Sequence, residues 1–496
     1  MGSPRDGRLT EVGPAHLTPA QRRSLGAFYT PADVASELVA WAADGLDAPP
    51  RRVLDPACGG GAFLLAVREL WPDAALVGLD VDPGAVEAAR AALPGADIRL
   101  ADGLDPLAPE PVIRSGGFPP DLIASSPGVG SFDLVVGNPP FLGQLSRATA
   151  RDPEARRRLK ARFGDAASGY VDTAALFLLA GLDAVRPGGR VVLIQPESVL
   201  GAAHTGPLRR AVEARAVVLE LREVDRRAFA AAVDTCALLL ECRSEAAAVA
   251  GADEPTWSPW LARVRGVPEV RLDPARGTIA TMAATTAGFR QHHYALVAHV
   301  VEHTDGLARI ATTGMVDPGT VRWGERPARI GGRSFPRPAV DLTGVAADDP
   351  SVASWFRARL RPKVLVAPQT RVVEAAVDAD GSFLPATPLV AVEPRTDVDD
   401  PDLVLWRVAA ALSAPPVTAW ALALTAGTAR SRQALKLSAR QVAAVPLPTD
   451  RVTWTAAAEA LRAGVPVAAL AEDLTVAYGL RPDDPVVAWY RSRANR

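Results

Sequence analysis

Residues 132–141 of this 496-residue chain read Phe132-Asp133-Leu134-Val135-Val136-Gly137-Asn138-Pro139-Pro140-Phe141. The apolar run Leu134 to Val136 suits a buried strand. That places the tetrad Asn138 to Phe141 at a strand's carboxyl end, where open α/β sheets bind their ligands. The two prolines fix φ and remove backbone donors, so the carbonyls around them point in set directions. Asn138 adds a side-chain acceptor and Phe141 a flat apolar face. Two aligned acceptors beside a stacking surface suit the holding of a planar, NH2-bearing group; a polar turn closing a strand is the plainer alternative.

Upstream, Arg51 to Leu64 has the pattern of a strand, a glycine turn and a helix start, with Ala57, Gly59 and Gly61 in the turn. Glycines there let backbone approach a ligand unobstructed. Asp55 at the strand's end disfavours a pyrophosphate and favours a cationic or hydroxyl-bearing ligand. The next apolar run, Ala75 to Leu79, ends in Asp80, at the distance from the glycines that suits a grip on ribose hydroxyls. A third, Ile98 to Ala101, ends in Asp102. Three strand-terminal acids in order, followed by the tetrad, form an array.

This array resembles the amino-group DNA methyltransferases that act on adenine N6 with S-adenosylmethionine, in their gamma-type motif order. The resemblance covers residues 24–243. It implies an α/β fold: a Rossmann-like class I methyltransferase domain with a mostly parallel sheet. Gly26 to Pro31 looks like the family's N-terminal cofactor motif, bringing in Phe28, Tyr29, Thr30 and Pro31. Asp55 to Gly61 resembles its methionine-binding loop. Asp80 matches its ribose-binding acid, and Asp102 the residue that hydrogen-bonds the cofactor's adenine. Asn138, Pro139, Pro140 and Phe141 match the catalytic tetrad, with Asn138 also beside the cofactor. Tyr170 to Leu200 resembles the next block, and Phe229 the second aromatic flanking a flipped base. Many relatives carry Tyr where this chain has Phe141, a change that keeps stacking and loses only a hydroxyl.

The resemblance implies a double-stranded DNA substrate. Adenine N6 is a poor nucleophile because its lone pair is delocalised into the ring. Acceptors on both N–H bonds, the Asn138 side chain and the Pro139 carbonyl, draw the nitrogen toward sp3 for in-line attack on a sulfonium methyl. Phe141 then holds a base that has left the duplex stack. The same chemistry on RNA guanine N2 or on protein glutamine stays open, as does a DNA-binding scaffold without catalysis.

A net charge of −2 gives no overall basic signature, so DNA contact must come from local clusters. The second half supplies them: Arg322, Arg326, Arg329, Arg333 and Arg337 with interleaved Trp323 and Phe335; then Arg357, Arg359, Arg361 and Lys363; then Arg430, Arg432, Lys436 and Arg440. Basic residues mixed with aromatics suit phosphate and base-edge contact. Arg156 and Arg157, just after the tetrad, suit phosphates beside an extruded base, or simply an exposed helix. Three cysteines carry no disulfide framework or metal spacing. His299-Val300-Val301-Glu302-His303 matches the His-x-x-Glu-His pattern of inverted zinc peptidases, on an expected helix, but has no third-ligand context; no metal is expected.

The expected organisation is a lead-in over residues 1–20, a methyltransferase domain over 21–245 and a linker over 246–256. A mixed α/β target-recognition domain follows over 257–450, then a helical segment over 451–496. Thr30-Pro31 predicts a helix start with Thr30 as N-cap, the helix running to about Leu46. Strands are expected at Arg263 to Leu272 and Lys363 to Ala367, and Leu104 to Ser131 as a lid or a surface insertion. Leu403 to Ala426 is broken by Arg407 and Pro415-Pro416, predicting a buried helical pair rather than a membrane span. A soluble, cytoplasmic protein is expected. No nuclease sequence is recognisable and few residues precede the first motif, which leaves room for a separate restriction or defence subunit as partner.

Overall fold

The computed structural model describes residues 30–104, 130–142, 153–224, 233–244, 256–287, 292–429 and 431–494. Its contacts divide the chain into two units at Val264/Arg265.

The first unit is an α/β layer structure. Its strands are β1 (Arg52–Asp55), β2 (Ala75–Asp80), β3 (Asp97–Leu100), β4 (Phe132–Gly137), β5 (Val185–Pro196), β6 (Ala216–Val224) and β7 (Thr235–Cys242). They form one sheet in the order β3-β2-β1-β4-β5-β7-β6. The pairs among β1 to β5 are parallel, and β7 runs antiparallel to both β5 and β6. A mostly parallel sheet of this order, closed by one inserted antiparallel strand, is the class I methyltransferase fold. The strand order reverses between β1 and β4, in register Val53 opposite Leu134. Such a switch point opens a crevice outside the carboxyl ends of its two strands.

Both faces of the sheet are covered, which explains why stretches of its inner strands, such as residues 134–136, 191–194 and 237–240, are continuously apolar rather than alternating. Helices α1 (Ala32–Ala43), α2 (Ala62–Leu70) and α3 (Pro83–Ala92) share one core with Val53, Leu134, Val136, Val192 and Ile194. Beyond α4 (Pro153–Phe163), helix α5 (Thr173–Ala184) covers the other face. It packs so closely that a Cβ at Gly181 would lie 3.1 Å from Val191 and 3.4 Å from Val135. The helix Ser258–Val264, expected in the second domain, belongs to this unit. It follows Trp257, which is buried and donates its indole N–H to Glu213 at 2.8 Å.

The second unit contains two four-stranded sheets. One orders strands 383–385, 308–311, 338–340 and 300–302; the other 374–378, 363–367, 390–394 and 283–287. Against the second sheet pack helices Pro401–Leu412, Pro415–Thr425 and Arg451–Arg462, so the C-terminal helical segment is part of this unit's core. The first two of these are the expected buried pair, bent by 63° at the Pro415 break. Among the described residues no single helix is long and apolar enough to cross a membrane.

Three sequence expectations fail here. After the helix ending at Val264, residues 265–272 form no strand. His299 to His303 is no helix: Val300–Glu302 is a strand paired with Pro338–Val340. The β-branched pair Val300-Val301 fits a pleated surface, and sheet pairing overrode the i, i+4 pattern. Lys363 offers no charge to solvent, being fully buried in an ion pair with Asp378 at 2.7 Å.

Candidate active site

Each of the first three strands delivers its terminal acid to the same rim. Gly61 takes φ 89° as the residue before α2. That left-handed conformation is nearly free for glycine alone. It turns the chain sharply enough for Gly59 N–H to donate to Asp80 Oδ2 at 2.8 Å. Asp80 Oδ1 accepts from Asp82 N–H at 2.8 Å, so both carboxylate oxygens are aimed by backbone. The third loop locks onto the first: a Cβ at Gly103 would stand 2.0 Å from the Pro56 carbonyl oxygen. Asp102 closes its own turn by accepting from Leu104 N–H at 2.9 Å.

Asp55 is 1% exposed and accepts from Ala57 N–H at 3.0 Å. Burial pushes its carboxyl up to about 8, aided by the charge of Asp80 and opposed by the Ala57 amide. Asp80 is also raised, mainly by burial. Among the described residues no cation pairs with either acid. Two desolvated carboxylates in this state suit a positively charged ligand, whose approach would lower both. Gly59 faces open space, a Cβ there meeting nothing within 4 Å. These features fit the amino-acid and sulfonium end of S-adenosylmethionine, the cofactor expected for this fold. Cys58 is buried with its thiol held up by burial and by both acids, so it is an inert packing residue.

The tetrad sits across the crevice. A Cβ at Gly137 would lie 2.6 Å from Asp55 Oδ1, so only glycine lets β4 end against that acid. Asn138 follows directly. Its Nδ2 donates to Thr30 Oγ1 at 3.0 Å, while its Oδ1 is buried with no hydrogen-bond partner. Pro139 is buried, and Phe141 packs partly buried against the core under α1 to α3. Leu142 N–H donates to Asp172 Oδ1 at 3.1 Å, the same oxygen that caps α5 through Ala174 N–H at 3.0 Å. Asp172 therefore ties the tetrad's far end to a buried helix.

Sequence reasoning passed over Asp172, although an acid directly before a long apolar helical run is an N-cap signal. It also gave Thr30 the wrong partner. The residue before α1 is Pro31, without a side-chain cap bond, and the Thr30 hydroxyl serves Asn138 instead. Phe28, Tyr29, Phe229 and Arg430 lie outside the described residues, as do residues 1–20 and most of 104–131.

The expected basic contacts separate into kinds. Arg156 and Arg157 are exposed on α4, a helix with one buried residue, Leu159. Arg326 donates to both oxygens of Asp317 at 2.7 Å, and Arg322 pairs with Asp317 and Glu325. Arg329 and Arg333 stand exposed on a hairpin, Arg333 over the Phe335 ring at 4.9 Å. Lys436 is exposed and Arg432 half-buried. In the second cluster Arg359 stacks on Trp355 at 3.6 Å and Arg361 pairs with Glu393. His299 bonds Asp348 at 2.7 Å, while His303 stands edge-on to Trp323 with centroids 5.0 Å apart. No group of residues among those described could hold a metal ion.

Residues 118–217 match the Eco57I restriction-modification methylase family. The chain is 45% identical over 69 residues to the type II methyltransferase M.XamI of Xanthomonas campestris pv. amaranthicola, covering 14% of this chain and 12% of that one. It is 30% identical to the type II methyltransferase M.TthHB8I of Thermus thermophilus over 220 residues, 42% of this chain and 44% of that one. It is 33% identical to the release factor glutamine methyltransferase of Deinococcus radiodurans over 144 residues, 29% and 44% of the two chains. The chain spans less than half the length of each of these relatives. The first unit has the class I methyltransferase topology, and within it β4, the tetrad, α5 and β5 fall in the segment that matches the restriction-modification methylase family.

Proposed function

We propose that this chain transfers a methyl group from S-adenosylmethionine to N6 of an adenine flipped out of double-stranded DNA. One observation carries the reading: a buried, partnerless amide oxygen on Asn138, beside a proline carbonyl at a strand end. A buried acceptor without a donor costs about 1–3 kcal/mol. An amino group entering the crevice supplies the missing donor.

When bound, the cofactor supplies an electrophilic sulfonium methyl. Asp55 and the loop from Ala57 to Gly61 would hold its amino-acid end, Asp80 its ribose and Asp102 its adenine, and the motif's resemblance adds Phe28, Tyr29 and Pro31 to the cofactor's contacts. Asn138 Oδ1 and the Pro139 carbonyl accept the two N6 hydrogens, returning the lone pair to nitrogen. Once methylated, the amine would be acidic enough to release its proton to solvent, so these two acceptors need only position it and no strong base is required. Phe141 would stack on the base, and the resemblance gives Phe229 the role of the second flanking aromatic. Arg156, Arg157, Arg329, Arg333, Arg430, Arg432 and Lys436 contact phosphates, with Arg322 and Arg326 contributing less because Asp317 draws on their charge.

The test is methyl transfer from labelled S-adenosylmethionine to unmodified genomic DNA, with products hydrolysed and separated. N6-methyladenine is expected. Asn138→Ala should lower the rate by about 2–4 kcal/mol, or roughly 30- to 1000-fold; a rate within twofold of wild type refutes the assignment. A second reading has support from the glutamine methyltransferase relative, because a glutamine amide is also a planar NH2 group. Label recovered in protein rather than DNA favours it.

A further inference from the structure

Thr30 and Asn138 are 108 residues apart in sequence and joined by one hydrogen bond, Nδ2 to Oγ1 at 3.0 Å. Thr30 is itself buried, at 7% exposure. It stands just before α1, whose Leu38, Val39 and Trp41 are buried and whose Trp41 indole donates to Glu220 on β6 at 2.7 Å. The hydroxyl is therefore mounted on a helix anchored to the sheet, while the amide is mounted on the end of β4. The rest of the amide is unbound: Oδ1 is buried and partnerless.

We infer that Thr30 is a positioning residue for methyl transfer: by accepting from Nδ2 it fixes the plane of the Asn138 amide and leaves Oδ1 facing the reacting amine. An incoming NH2 offers only hydrogens on its two N–H bonds, so it needs the oxygen end of the amide. The Thr30 hydroxyl can meet that demand because a hydroxyl accepts as well as donates. Without it Nδ2 would lose its protein acceptor, and rotation about Cβ–Cγ would set N–H against N–H. This role differs from the cofactor contact that the motif's resemblance implies for Thr30, and the two roles predict different outcomes. The inference rests on the proposed use of Asn138 as an acceptor.

The chain makes the test unusually direct, because it contains two asparagines, Asn138 and Asn495. Protein labelled with 15N-asparagine gives two pairs of side-chain amide signals, and Asn495→Gln identifies the pair that remains. Thr30→Val, close in shape to the native residue, should move the Asn138 amide signals and speed their exchange with water. It should lower the single-turnover rate on DNA roughly 5- to 30-fold, the loss of one hydrogen bond. The Kd for S-adenosylmethionine, measured by calorimetry, should stay within twofold. Thr30→Ser should restore both signal and rate. Unmoved Asn138 signals overturn the inference, as does a rate loss that saturating cofactor removes. If the wild-type protein methylates no DNA, the functional reading fails, while the amide signals still decide whether Thr30 holds Asn138.

Discussion

Asp55 makes stability and pH depend on each other in an unusual direction. Its ordinary value is 3.8, and burial at the end of β1 pushes it up to about 8. Between those values the folded protein holds a proton that the unfolded chain has released. Stability from this group is therefore complete below about pH 4 and is lost as pH rises toward 8, by at most about 1.4 kcal/mol per pH unit. From pH 5.5 to 7.5 the loss approaches about 3 kcal/mol as an upper bound. Asp55→Asn keeps the shape of the protonated acid and an oxygen for Ala57 N–H, but never ionises. Subtracting the two stability curves cancels the titrations that are not coupled to Asp55, so the variant should gain on wild type across that window and level off above it. Hydrogen exchange of the β1 and β4 amides reads this locally, without interference from the second unit. Saturating S-adenosylmethionine should flatten the difference, because a cation beside Asp55 restores its ionised form. A difference curve without slope between pH 5.5 and 7.5 refutes the reasoning, and with it the view of Asp55 as a desolvated acid awaiting a positive ligand.

Two further outcomes follow from single contacts. Asp172→Ala removes the α5 cap and the Leu142 anchor together, so thermal unfolding should show a loss of about 1–2 kcal/mol, with a fall in methyl transfer that Asp172→Asn largely recovers. Lys363→Met strands Asp378 as a buried charge without its cation and should destabilise the second unit by about 3–5 kcal/mol in denaturant titration, whereas adding Asp378→Asn, which removes the charge and keeps an oxygen for the Ser382 and Phe383 N–H groups, should recover part of that.

How legible the site was in the sequence depended on how local each task is. Asp55, Asp80 and Asp102 each end an apolar run beside a turn, so strand, turn and acid could be read within a few residues. The reversal of strand order that brings Asp55 against Gly137 is tertiary, and alternation of strands and helices does not specify it. Asp172 and Thr30 act across separations of 30 and 108 residues on Leu142 and Asn138, and no local pattern records such partners. Thr30 was misread because the rule for helix starts describes a hydroxyl's default partner, not the one tertiary packing supplies. The counter-charges within the basic clusters were illegible for a related reason. Sequence displays positive charge, but Asp317 between Arg322 and Arg326, or Asp378 beneath Lys363, becomes a counter-charge only once hairpins and sheets are paired.

The close seating of Gly103 on the Pro56 carbonyl ties the inheritance of two loops together. No side chain fits at Gly103 unless Pro56 withdraws, and Pro56 is held between Asp55 and the turn that presents Gly59 to Asp80. A mutation in the loop after β3 is thus felt by the loop after β1, and a lineage cannot remodel one while leaving the other intact. Descendants of this chain should change these two segments jointly or not at all. Variety in substrate choice must then arise elsewhere, in parts of the chain that the rim does not constrain.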